Sequence, residues 1–172
     1  MKSYKIEKFW KSEAGLRCVV IMTAVGHRCG YVGVDRKHPL YGHDYSDTIP
    51  IYLIKMYLNI IDGEIGKRNA IDLLCHRHNA PRIGFLFDVH GGITYSGNGR
   101  KGNYPIKTDL WWFGYDCAHC DDGKDLSVLS EELLEVELKW STGGILRSVE
   151  YCMDECESLA KQLKEVYEWR YK

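Results

Sequence analysis

The chain is 172 residues long, 45% hydrophobic and 27% charged, with a formal net charge of −1. These values predict one soluble globular domain that buries roughly 70% of its unfolded surface. No segment approaches the ~20 apolar residues of a membrane helix, and the stretch from Met1 to Glu7 turns polar too early for a signal peptide, so no membrane partner and a cytoplasmic location are expected.

The elements follow in order. Tyr4-Lys5-Ile6-Glu7-Lys8-Phe9-Trp10 and Leu16-Arg17-Cys18-Val19-Val20-Ile21-Met22 read as a hairpin over 4–11 and 16–25, turning at Glu13-Ala14-Gly15. Tyr31-Val32-Gly33-Val34 is a short third strand, and Pro39 and Gly42 punctuate the loop after it. Between 49 and 79, Ile51, Ile54, Leu58 and Ile61 have helical spacing but their β-branched content also permits a strand. Glu64 to His78 reads as a helix ending before Pro81. Strands are expected at 83–90 and 110–117, separated by a Gly-rich loop from Gly97 to Gly102. Val149, Cys152, Cys156, Leu159, Leu163 and Val166 step by three and four, one apolar stripe on a helix started by Ser148. The expected class is α+β: an antiparallel sheet of about five strands in a single domain, packed by a long C-terminal helix and a helical insertion.

The charge is uneven. Residues 1–110 carry 16 Lys/Arg against 10 Asp/Glu, and residues 111–172 carry 7 against 14. A basic part suits a phosphate-bearing ligand, whereas an acidic excess also fits a solvated helix face. Without a basic stretch or reader motif, bulk nucleic-acid binding is not expected. Seven cysteines are an odd count in a chain able to build a core unaided, so most are expected reduced and buried.

Two stretches end in polar clusters that packing strands do not need: Asp88-Val89-His90-Gly91-Gly92-Ile93-Thr94-Tyr95 and Trp111-Trp112-Phe113-Gly114-Tyr115-Asp116-Cys117-Ala118-His119-Cys120-Asp121. Gly91 and Gly92 let a ligand approach backbone N–H groups, and a tight turn needs the same glycines for steric reasons. On one face of the 110–117 strand, Trp112 beside Asp116, with Gly114 between, would form a stacking floor. Tyr31, Tyr41, Tyr45 and Tyr95 would add to it. The expected ligand-binding set is His90, Gly91, Gly92, Thr94, Tyr95, Trp112, Asp116, His119 and Tyr41. The alternative is a metal held by His90, Asp116, His119 and Asp121, with zinc or manganese as the ion. Cys117-Ala118-His119-Cys120 lacks the second pair of a structural zinc site, unless His76 and His78 come close. Cys117 beside His119 permits a nucleophile reading, with no oxyanion hole in view.

Taken together, Gly30-Tyr31-Val32-Gly33-Val34, His38-Pro39-Leu40-Tyr41-Gly42, Val89-His90-Gly91-Gly92-Ile93-Thr94-Tyr95 and Trp112-Phe113-Gly114-Tyr115-Asp116-Cys117-Ala118-His119 resemble a family of small uncharacterised bacteriophage and bacterial proteins. Arg147-Ser148-Val149-Glu150-Tyr151 leading to Glu155-Cys156-Glu157-Ser158-Leu159-Ala160 completes the pattern. Within that resemblance 50–82 and 121–145 read as insertions. It implies a phage accessory protein in the host cytoplasm, with an anti-defence role. The leading expectation is sequestration of a small nucleotide-derived ligand, an ADP-ribose-like or cyclic-nucleotide immune signal, without a cofactor. The competing ones are a metal-dependent hydrolase of a nucleotide or phosphoester, and an inhibitor of a host enzyme anchored by Trp10, Trp111 and Trp169. A homo-oligomer is compatible with all three.

Overall fold

The computed structural model describes residues 4–58, 82–100, 104–140 and 143–169. Its centre is one antiparallel sheet of β1 (Tyr4–Lys11), β2 (Arg17–Thr23), β3 (Arg28–Val34), β4 (Tyr95–Asn98) and β5 (Trp111–Asp116), in the spatial order β1-β2-β3-β5-β4. Two α-helices follow the sheet strands in the chain, α1 (Glu131–Trp140) and α2 (Val149–Trp169). The fold is therefore the expected α+β arrangement. No helix among the described residues is long and apolar enough to cross a membrane.

The alternation of side chains along the strands assigns the two faces. Cys18, Val20, Val32, Val34, Phe113 and Tyr115 point to the face covered by α2, where Cys152, Cys156, Leu159, Leu163 and Val166 complete the core. Each of those α2 side chains is fully buried, so each apolar one contributes roughly 1.5–3 kcal/mol. Ser148 caps the helix, its Oγ accepting from the Tyr151 N–H at 3.1 Å. Val19, Ile21, Cys29, Tyr31 and Trp112 point the other way, under Tyr95, Tyr104, Ile106 and Leu110.

Three expectations need correction or qualification. The segment 83–90 is not a strand: Ile83–Leu86 forms a 3-10 turn, and only the residues after it extend toward His90. Its apolar run is used to bury Ile83, Leu86, Phe87 and Val89 against the helix-side core rather than to join a ladder. The edge strand is instead Tyr95–Asn98. The segment 121–145 carries α1, and the excursion closes at its base through a bridge between Asp122 and Ile145. The helix expected at 64–78, with His76 and His78, lies outside the described residues.

Candidate functional site

Antiparallel pairing sets Tyr95 of β4 opposite Gly114 of β5, and the Thr94 N–H donates to the Gly114 carbonyl at 2.9 Å. The chain entering β4 thus runs beside the chain leaving β5. His90-Gly91-Gly92 meets the turn from Cys117 to Asp122, and the centroids of the His90 and His119 rings are 5.2 Å apart. Gly91 has φ +65°, and a Cβ there would stand 1.8 Å from His119 Cε1. The absent side chain is what lets the imidazole lie on this backbone.

Asp122 joins the parts. Its N–H donates to the His119 carbonyl at 3.0 Å, and its Oδ2 accepts from the His119 N–H at 3.0 Å. The same Oδ2 lies 2.8 Å from His90 Nε2, and Arg147 Nε donates to Oδ1 at 2.7 Å. The side chain is only 1% exposed. Burial alone would raise its pKa, but the hydrogen bonds from Arg147, His90 and the His119 N–H outweigh it and hold the carboxyl well below the usual carboxylate range.

His90 is aimed by two residues one turn apart on α2. Its Nδ1 lies 3.0 Å from the Tyr151 hydroxyl, and its N–H donates to Glu155 Oε2 at 2.7 Å. Arg147 leans over the Tyr151 ring at 5.2 Å, while its carbonyl accepts from Arg28 Nη1 at 2.7 Å. The Arg28 guanidinium is paired with Glu7 of β1. The site is tied across the sheet as far as its first strand.

Beside this cluster an open groove of about 430 Å³ runs between the 117–122 turn and α1. His27, His119, Asp122 and Lys124 supply polar lining together with Glu137 of α1, which pairs with Lys124, and Val136 and Trp140 line the groove from the same helix. Trp140 is 72% exposed. The volume falls in the range of small-molecule pockets.

The residues singled out from the sequence divide into three places. His90, Gly91 and His119 are brought together, with Gly92 completing the turn through its N–H to the Val89 carbonyl at 2.8 Å. Thr94 donates to Asp116 Oδ2 at 2.7 Å, so these two partner each other on the rim. Trp112, Tyr95 and Tyr41 lie elsewhere. Trp112 is fully buried with Nε1 donating to Thr108, and the Tyr31 ring covers Gly114, so this face offers no stacking floor. Tyr95 packs edge-on against Tyr31 and Tyr104. Tyr41 sits at the Asn98 end of β4, donating to the Asp109 carbonyl at 3.2 Å.

Among the described residues, the carboxylate that converges with the two histidines is that of Asp122, rather than Asp116 or Asp121. Its donor atom and theirs lie within 4.8 Å of one another, the arrangement able to hold a metal ion. Cys117 is turned under α2, its sulfur 3.8 Å from that of Cys152, and this contact and burial both push its thiol up, which disfavours a thiolate nucleophile. Trp10 donates to Glu157 and Trp111 to the His43 carbonyl; both pack on the core, as does Trp169, which leaves Trp140 as the exposed tryptophan of the described residues. Sequence reading missed Asp122, Arg147, Tyr151 and Glu155 as partners. The usable signals were the three-residue step from His119 to Asp122 and the i,i+4 step from Tyr151 to Glu155.

Compared with known protein families, curated proteins and solved structures, the chain matches none.

Proposed function

We propose that the protein binds and sequesters a small nucleotide-derived ligand, with a flat ring and an anionic group, in the groove between the 117–122 turn and α1. The observation that carries this reading is that an exposed indole, Trp140, shares the lining of one groove of about 430 Å³ with His27, His119 and Lys124. A base stacks on the indole, and the N–H groups of the same lining meet the phosphate, Lys124 turning to it from Glu137. The aromatic contact thus moves from Trp112 to Trp140. The buried thiol of Cys117 favours binding over covalent chemistry. The resemblance to bacteriophage proteins gives such sequestration an anti-defence role against a host signal, of the ADP-ribose or cyclic-nucleotide type.

Calorimetry against a panel of ADP-ribose and cyclic nucleotides tests this. Binding of one member is expected, weakened at least tenfold by Trp140→Ala. Chromatography of the ligand released by denaturing the complex should return it unchanged. Recovery of a cleaved product would replace sequestration by hydrolysis, and silence across the panel would remove the reading.

A further inference from the structure

We infer that His90 Nε2, His119 Nδ1 and Asp122 Oδ2 form a binding site for a zinc-class divalent metal ion, with its remaining position open to the groove. This rests on the side-chain cluster itself and stands whatever the groove holds.

The first argument is geometric. Around a tetrahedral zinc with bonds of about 2.1 Å, ligand atoms sit roughly 3.4 Å apart. His119 Nδ1 stands 3.4 Å from Asp122 Oδ2, which is one edge of such a tetrahedron, and His90 Nε2 stands 2.8 Å from the same oxygen, a hydrogen-bond distance that must open for an ion to enter. The third edge, between the imidazoles, is no longer than 4.8 Å. His119, the most exposed of the three at 38%, is the side chain whose rotation would shorten it.

The second argument is the choice of donors and of what holds them. Two imidazoles and one carboxylate suit zinc better than magnesium or calcium, which prefer all-oxygen sets. Three protein ligands with an open position make an accessible site rather than a closed structural one. Metal-binding histidines are oriented through their other ring nitrogen. His90 has that partner: with the ion on Nε2, its proton resides on Nδ1 and is donated to the Tyr151 oxygen at 3.0 Å. Asp122 is steadied through the oxygen that the ion does not use, by Arg147 at 2.7 Å. The Glu155 carboxylate fixes the His90 backbone. His119 and Asp122 also line the groove, so the open position faces it.

The protein, purified without chelator, is equilibrated with excess Zn²⁺, freed of unbound metal and analysed for bound zinc, with thermal unfolding followed in parallel. About one zinc per chain is expected, with a melting temperature that rises with zinc concentration. His119→Gln should bind less than a tenth of an equivalent while keeping its circular dichroism spectrum. Cys120→Ser, which removes the exposed thiol of the same turn, should still bind one. The cobalt form of the unmodified chain should show ligand-field bands with no thiolate charge-transfer band, which decides the matter should His119→Gln fail to fold. Less than a tenth of a metal on the parent chain, full retention in His119→Gln, or loss in Cys120→Ser would each overturn the assignment. The first result would leave a hydrogen-bonded tie between the two turns in its place.

Discussion

At Gly91 two demands meet in one residue: a left-handed backbone and an imidazole pressed onto its α-carbon. Gly92 has only the first, with φ +87° and open space around a would-be Cβ. Alanine should therefore cost about 1 kcal/mol at Gly92, through the backbone alone. At Gly91 it should cost more and displace His119. Thermal unfolding of both variants, together with ligand binding, separates the two demands: Gly92→Ala should still bind and Gly91→Ala should not. Equal losses in the two variants would mean that the contact with His119 is incidental. At this scale the sequence shows which residues are special more readily than it shows their partners. His90, the paired glycines and His119 stand out as polar or small residues where hydrophobic stretches stop. Asp122 does not, because nothing local distinguishes a buried acceptor from its exposed neighbour Asp121. Trp112 misleads for a related reason: alternation separates the two faces of β5 but is silent on the 104–110 loop that covers one of them.

The long helix α2 is the element most legible in the sequence, since one apolar stripe and one capping serine define it. The 83–90 segment is the least, because a short apolar run fits a strand and a buried turn equally well. α2 is also locked to the loop after β3 by a histidine that must stay neutral. The Leu40 N–H donates to His38 Nδ1 at 3.1 Å, which places the ring proton on Nε2, 2.9 Å from the Leu163 carbonyl. Burial holds the pKa of His38 below its ordinary 6.5. As pH falls through about 6.5 the unfolded chain takes up a proton that the native ring refuses. Stability is thus full above that pH and declines below it, by up to about 1.4 kcal/mol per pH unit. His27, also held low by burial, adds its own share. Melting temperatures measured from about pH 7.5 down to about pH 5.5 should fall less steeply for His38→Gln than for the parent, and parallel curves would refute the account. On the same helix Cys152 and Cys156 are fully buried, and replacing both with alanine should lower stability by a few kcal/mol at most without changing binding in protein that still folds.

Over the whole molecule, the sheet and α2 bear the stability while α1 borders the groove. No residue of α1 is buried, and Val136, Leu138 and Trp140 are exposed. Replacing 126–142 with a Gly/Ser linker of about eight residues keeps the Asp122–Ile145 bridge at the base of the excursion. It should lower the melting temperature by no more than about 4 °C, the equivalent of about 1 kcal/mol. Ligand binding should disappear, because Trp140 goes with it. A collapse of the fold would show instead that α1 is structural. The general plan, an antiparallel sheet under one long helix, was readable from patterning. The strand order was not, since the placement of β5 between β3 and β4 depends on pairings remote in sequence. That order has a practical corollary. His27, His90, Asp122 and Tyr151 come from four separated stretches of chain, and no fragment shorter than residues 27–151 contains the set. Any signal from the site, a captured ligand or a bound ion, therefore doubles as a reporter of native assembly, and in a denaturant titration it should vanish together with the helical signal of α2.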